Sequence, residues 1–316
     1  MSAPTVSVLM PAYNGEKYIG QAIESVFKQS FSDLELIVVD DASTDGTMAV
    51  VEKYKSDGRL VCVKFDDNHG VAAARNTALK HAQGVFVAFL DQDDMWLKNK
   101  LEIQVGFMRD NPDVAMVHSE ILLINELGGL IVQSDSSDDA DVSMDVDIHN
   151  ILPELFMKCD IQVLTVLLRK SVLDRVGWFN EKLAGVDDYE LWLRVARNHP
   201  IAYIKNALAL YRKHSQQESN KGYKQLCLRL KALEVFVGEN SGVRHEIGES
   251  LYRQRMNGLY IGVANYYFWA RQDYQSAKSN YWKGLKLKST DFGNAVKLIY
   301  CMIPEWGRRI FRLVKK

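Results

Sequence analysis

An apolar run ends abruptly in acids at Val85-Phe86-Val87-Ala88-Phe89-Leu90-Asp91-Gln92-Asp93-Asp94. Carboxylates at the C-terminal end of a buried strand project into the crevice where open α/β sheets take their ligands. A hard cation such as Mg2+ accepts one or two of them and keeps waters in its other positions. Along an extended segment side chains alternate, so Asp91 and Asp93 point one way and Gln92 the other, and one ion can meet both acids. Taken alone, the triplet fits equally a polar loop, with Asp93 or Asp94 capping a helix that starts near Trp96. A second acidic pair stands in Gly185-Val186-Asp187-Asp188-Tyr189-Glu190-Leu191-Trp192-Leu193-Arg194. At the front of a helical pattern such acids suit either proton abstraction from a hydroxyl or simple stabilisation of the helix N-terminus.

The elements that must position these acids follow from periodicity. Val6 to Met10 is a short apolar run closed by Pro11, and Gly15 to Gln29 has helical spacing through Ile19, Ile23, Val26 and Phe27. Leu34 to Val39 is β-branched and ends in Asp40-Asp41, Thr47 to Tyr54 is helical, and Leu60 to Phe65 reads as a strand. Gly70 to Ala82 is an alanine-rich helix before the strand that ends at Asp91. Alternation of this kind predicts a doubly wound α/β domain with right-handed crossovers and a mostly parallel sheet. Beyond Trp96 the pattern is mixed: a helix over 97–109, a strand over 114–118, a hairpin at Gly128-Gly129, a strand over 164–168, and helices over 171–176 and 187–197.

Ser134 to Asp147 is rich in Asp and Ser without a positive side chain, and reads as a solvated surface loop or a lid over a second substrate. From Tyr223 onward the chain is helical, and Tyr266-Tyr267-Phe268-Trp269 with Tyr274, Ala277, Tyr281 and Leu285 has the look of one tetratricopeptide-type helix pair. One such unit cannot form a solenoid, so it is expected to pack as an appendage. Ala295 to Lys316 carries Trp306 and a basic cluster, Arg308, Arg309, Arg312, Lys315 and Lys316. It fits either a docked terminal helix or a basic amphipathic end lying on an anionic membrane. These divisions give a catalytic domain over 1–220, with halves meeting near 95, and a helical region over 221–316.

The 316 residues, 47% apolar and 25% charged, have the composition of an ordinary globular protein of about two domains. A net charge of −1 supplies no general attraction to nucleic acid. Cys62, Cys159, Cys227 and Cys301 are scattered, which argues against a zinc site or a disulfide scaffold and fits a reducing cytoplasm. No secretory leader follows Met1, and no apolar stretch approaches the roughly 20 residues of a membrane span.

Order along the chain sharpens the acidic triplet. Pro11-Ala12-Tyr13-Asn14 follows the first strand, Asp40-Asp41-Ala42-Ser43-Thr44-Asp45-Gly46 the second, and Asn68-His69-Gly70 with Ala74-Arg75-Asn76 the third. Together with the Asp91 and Asp187 segments, residues 5–215 resemble a family 2 glycosyltransferase of the GT-A, nucleotide-diphospho-sugar transferase fold. The resemblance implies inverting transfer of a sugar from a nucleotide donor, most often UDP-linked, to a saccharide or lipid-linked acceptor of a bacterial surface polysaccharide or glycolipid.

The same resemblance implies roles. Pro11, Ala12 and Tyr13 shape the base pocket, and Asp41, or Asp40 beside it, reads uracil or ribose. Arg75 meets the nucleotide, or else forms a structural ion pair. Asp91, Gln92 and Asp93 hold the donor diphosphate and Mn2+ or Mg2+, with Asp93 the direct ligand. Asp188 is the general base; Asp187 stands where the family has Glu. Tyr211-Arg212-Lys213-His214 resembles the segment that closes the site, through which His214 or Arg212 reaches metal or diphosphate. Trp96 and Trp178 are placed on the acceptor side, or in the core. A sugar nucleotidyltransferase would show a Gly-rich phosphate loop near Pro11, a dinucleotide oxidoreductase a Gly-x-Gly-x-x-Gly, and a non-catalytic scaffold would lack Asp93 or Asp188; none of these features is met.

Overall fold

The computed structural model describes residues 3–131, 146–215, 222–288 and 292–303. Most of the acidic segment 134–147 and the basic end 304–316 therefore lie outside the described residues. The chain forms two compact units, one of residues 1–152 with 159–218, the other of 153–158 with 219–316.

The first unit begins as the alternation predicts: β1 (Val6–Ala12), α1 (Ile19–Phe27), β2 (Leu34–Asp40), α2 (Thr47–Val51), β3 (Leu60–Lys64), α3 (Val71–His81) and β4 (Phe86–Phe89). Every residue of β1, β2 and β4 is buried, the pattern of strands covered on both faces. Ile19, Ala22, Ile23 and Val26 of α1 form the i, i+3, i+4, i+7 stripe that packs on them. Strands run parallel in the order β3-β2-β1-β4.

Pro11 lies inside a central strand without loss. Pairing of β1 with β4 stops at Leu9, whose carbonyl accepts from Leu90, so the absent N–H of Pro11 would have faced the side that β4 has left.

Beyond β4 the sheet turns mixed. β5 (Met95–Trp96), α4 (Lys100–Asp110), β6 (Met116–Ile124), β7 (Val146–His149), α5 (Leu152–Met157), β8 (Leu167–Arg169), α6 (Lys170–Val176), α7 (Asp187–Asn198) and β9 (Ile201–Arg212) follow in the chain. Antiparallel β8 joins β4 to β6, β9 runs parallel to β6, and β5 and β7 pair antiparallel to β9. Two expectations are corrected here. The helix expected from Trp96 starts instead at Lys100, because Met95 and Trp96 are drawn into the sheet beside Leu210 and Ala209. Val146 and Asp147, read as loop, begin β7.

The second unit carries α8 (Gly222–Glu239), α9 (Val243–Ile247), α10 (Glu249–Asn265), a π-helical turn (Tyr266–Arg271), α11 (Tyr274–Leu287) and α12 (Phe292–Met302). Phe268 is the centre of its aromatic core, with the rings of Tyr274, Tyr281 and Tyr300 at 5.5, 6.1 and 5.5 Å.

Candidate active site

The loops after β1 and β4 are clasped by one amide. Gln92 accepts from the Tyr13 N–H through Oε1 (2.9 Å) and donates to the Tyr13 carbonyl through Nε2 (2.8 Å). This pairing needs a glycine beside it, since a Cβ on Gly15 would stand 2.1 Å from Gln92 Oε1. The loop after β2 is locked to the same turn: Asn14 N–H donates to Ser43 Oγ (3.0 Å), Thr44 N–H to Asn14 Oδ1 (2.9 Å), and Gly15 N–H to Thr47 Oγ1 (2.7 Å). Ala12 is buried and Tyr13 is exposed at the rim. Two lost hydrogen bonds at about 1 kcal/mol each give Gln92→Ala an expected rise of about thirtyfold in donor KM, with little change in kcat. Steady-state kinetics should show Gly15→Ala doing the same, without additivity in the double variant.

Asp41 accepts the N–H groups of His69 (2.7 Å) and Gly70 (2.8 Å), one on each oxygen, and so fixes the entry to α3. Asp40 is fully buried on the face of β2 that carries Leu36 and Val38, and its Oδ2 has no hydrogen-bond partner among the described residues. Asp41 is buried as well, so burial does not choose between the two acids as reader of base or ribose.

The acidic triplet is a turn rather than the end of a strand, closed by Asp94 N–H donating to the Asp91 carbonyl (3.2 Å). Strand alternation therefore does not govern its side chains, which take three separate partners. Asp91 Oδ1 pairs with Arg75 Nη2 at 2.9 Å, Gln92 turns to Tyr13, and Asp93 Oδ2 meets His214 Nε2 at 2.8 Å. Burial and the neighbouring Asp91 charge push the Asp93 carboxyl up from its ordinary pKa, against the opposing pull of His214. Asp94 caps no helix: it is buried, accepts the Arg212 N–H at the end of β9 (2.8 Å), and its pKa is pushed well up by burial and by Asp93.

Arg212 was expected to be an alternative to His214 at the diphosphate, and the structure corrects this. It is fully buried, donating from Nε to the Asp93 carbonyl (2.7 Å), from Nη1 to the carbonyls of Asn125 (3.3 Å) and Glu126 (3.1 Å), and from Nη2 to Gln21 (2.7 Å). Arg212 and His214 both pack on the ring of Tyr18, at 4.8 and 5.2 Å. Its work is to hold the acidic turn, and His214 is the one that reaches it.

Asp187 and Asp188 open α7. Gly185, at φ +91°, turns the backbone so that its N–H donates to Asp187 Oδ1 (3.0 Å), a conformation that side chains resist. Asp187 Oδ2 takes the other arm of Arg75, from Nη1 at 2.8 Å. One buried guanidinium thus bridges the acidic turn and the α7 acids, with its face 5.5 Å from the Phe179 ring. Burial opposes the Arg75 charge, yet Asp91, Asp187 and Asp188 raise its pKa above the ordinary value. Asp188 is half-buried and accepts its neighbour's N–H from Tyr189 (2.7 Å). Burial first, then Asp187, push its pKa up to about 6, while Arg75 pulls the other way. A carboxylate poised there is ionised at neutral pH and still basic enough to take a proton.

Several supporting residues have no local signature. Asn76 pairs through both ends of its amide with the Phe179 backbone, at 3.0 Å each, and reaches Glu181 (2.8 Å). Glu190 holds Arg194 by two 2.8 Å bonds, and Arg194 donates to the Trp178 carbonyl (2.7 Å). Trp178 is half-buried beside these contacts. Trp96 is buried, donating from Nε1 to the Leu164 carbonyl (2.8 Å), which withdraws it from the acceptor side and leaves it a core residue. Of the expected site, the structure gathers Asp91, Asp187 and Asp188 around Arg75, and Asp93 with His214.

A profile described as Glycosyl transferase family 2 matches residues 7–122. Over 276 residues the chain is 33% identical to UDP-Glc:alpha-D-GlcNAc-diphosphoundecaprenol beta-1,3-glucosyltransferase WfgD of Escherichia coli, covering 86% of this chain and 98% of that protein. The chain belongs to glycosyl transferase family 2. The transferase is also similar in structure to S. aureus TarS in complex with UDP-GlcNAc, with a TM-score of 0.57 at 22% identity over 94% of this chain and 79% of that one. A mannosyltransferase from Pyrobaculum calidifontis in complex with GDP-Man and Mn2+ matches with a TM-score of 0.57 at 18% identity, over 95% and 80% of the two chains. At these identities the likeness is one of fold, the GT-A fold with a helical C-terminal region. The protein is a glycosyltransferase.

Proposed function

We propose that this glycosyltransferase moves a sugar, with inversion, from a UDP-linked donor to the saccharide of a lipid-linked acceptor in surface-polysaccharide assembly. The observation that carries the reading is the bridge by Arg75 from Asp91 to Asp187. It supports the reading because Asp188, whose pKa is pushed up to about 6, then shares one charge network with the acidic turn, so acceptor activation and leaving-group stabilisation would share one framework. The donor occupies the half formed by residues 1–95, with its base between the Tyr13 rim and Asp41. The acceptor approaches the half formed by 96–220, where Asp188 takes its hydroxyl proton as that oxygen attacks the anomeric carbon opposite the leaving diphosphate. Inversion needs one carboxylate in this role and no protein nucleophile.

The donor set suits Mg2+ or Mn2+. Asp91 and Asp93 are hard oxygen ligands left partly exposed, each held through one oxygen, and His214 stands against Asp93. Among the described residues no group of three or more acidic, His or Cys side chains forms a closed cage. That matches an ion that keeps waters and takes substrate phosphate oxygens besides one or two carboxylates. When bound, the ion would act as a Lewis acid toward the departing diphosphate. Tyr13 and Gln92 orient the donor, and His214 steadies Asp93.

The lipid-linked acceptor is taken from the relative WfgD, which is named for a GlcNAc-diphosphoundecaprenol substrate. No helix among the described residues is long and apolar enough to cross a membrane. The scattered cysteines fit a reducing compartment, and the reading takes the reaction to the cytoplasmic side. A screen of nucleotide sugars reading released UDP, with the anomeric configuration of the product assigned by NMR, tests the reading. Excess chelator is expected to abolish transfer and added Mn2+ or Mg2+ to restore it. Full turnover in chelator would overturn the metal assignment, and a retained configuration the inverting one.

A further inference from the structure

We propose that the hairpin of α11 and α12 is a docking surface for an anionic lipid bilayer. The proposal rests on the reading that the acceptor is lipid-linked, and extends it to how the enzyme meets that substrate.

α12 turns Asn294, Leu298 and Cys301 into its own unit. On a surface helix the opposite ridge should be polar. Here it is Val296, Ile299 and Met302, exposed by 49, 61 and 51%, and no Asp, Glu or Arg occurs anywhere in the helix. On α11, Ala277, Tyr281 and Gly284 face inward while Trp282 is 52% exposed, with Lys286 Nζ 5.0 Å from its ring centroid. An exposed indole flanked by lysines is the pairing found at membrane–water boundaries, where the ring sits at headgroup level and the long cationic stems reach the phosphates.

Charge selects the occupant. α11 also lacks Asp and Glu, and Lys286 and Lys288 are exposed at its end. The described residues of this hairpin, 274–288 and 292–303, hold Lys278, Lys283, Lys286, Lys288 and Lys297 and no Asp or Glu, in a chain whose net charge is −1. A second copy of this hairpin would bring lysines against lysines, with no acid on either helix to pair them. An anionic bilayer answers both features at once: acyl chains receive the Val296 and Ile299 ridge, and headgroup phosphates receive the lysines.

Co-flotation of the full chain with vesicles tests this. Binding is expected with phosphatidylglycerol in phosphatidylcholine, to weaken with added salt, and to be absent with phosphatidylcholine alone. Ile299→Glu, and Lys286→Glu with Lys288→Glu, should each weaken binding at least about tenfold, since one Lys near an anionic surface contributes about fivefold. Circular dichroism and transfer to a water-soluble acceptor analogue should stay unchanged in both variants, separating lost docking from lost folding. The proposal is overturned if the wild-type chain ignores anionic vesicles, if Ile299→Glu binds them as well as wild type, or if Ile299→Glu instead dissolves a dimer seen by size exclusion. Failure of the wild type to turn over any soluble acceptor, with vesicle binding intact, would count against the transferase reading and leave the docking surface standing.

Discussion

Asp188→Asn should lower transfer by about 10²- to 10⁴-fold, the range that a positioned general base contributes, while UDP affinity measured by calorimetry stays at the wild-type value. The substitution keeps size and the hydrogen bond from the Tyr189 N–H, and removes only the capacity to take a proton. As the proposed base, Asp188 works as the carboxylate, and its pKa is pushed up to about 6. Rate should therefore fall as pH drops through 6 and level off above it. A variant that turns over normally, or a wild-type profile flat down to pH 5, would remove Asp188 from the chemistry.

The second large effect is expected at Arg75. Removing one member of a buried ion pair typically costs about 3–5 kcal/mol, because the charge left behind has lost both water and partner. Arg75→Met strands the buried Asp187 and frees Asp91, so denaturant melts should show a loss of that order. Stability should return in part when Asp187→Asn is added. A kinetic signature separates this role from a purely structural one. Arg75 is among the charges that hold the Asp188 pKa down, so its removal raises that pKa. The acid limb of the rate profile should then move to higher pH in whatever fraction of Arg75→Met remains folded. Arg75→Lys offers one point charge where a fork is needed, and is expected to keep one of the two contacts. An unshifted limb would mean that Arg75 leaves the base alone.

Strand ends were legible because burial on both faces writes itself as an unbroken apolar run. β1, β2 and β4 each stop where a polar segment begins, and the crevice follows from that. Elements that use no such run were not. β7 is mostly exposed and only four residues long, so its Val-Asp-Ile-His alternation is lost behind the acidic run that precedes it, and β5 is two residues long; both pair with β9. Within the site, residue types announced the acids but not their partners. Gln92 and Tyr13 lie 79 residues apart, His214 and Asp93 121, and Arg75 and Asp187 112. Contacts of that span leave no local spacing to read. Trp96 shows the converse, since a position beside the motif says nothing about which way the side chain faces once strands have paired.

The anchoring of the acidic turn by Arg212 bears on how the enzyme comes into being. Its guanidinium reaches Gln21, 191 residues earlier in the chain, and Asp93, 119 residues earlier, and β9, which delivers it, is the last of the described strands to be synthesised. Domains tend to fold from the N-terminus as they leave the ribosome, and long-range pairing is the slow step. The four parallel strands can assemble early, but the turn that would grip a diphosphate has neither Arg212 nor His214 until β9 is seated. A nascent chain would thus present the four parallel strands with an unbraced acidic turn, competent to collapse but not to turn over donor. Transfer activity becomes a late event in maturation, set by closure of the sheet's far side rather than by formation of the crevice itself.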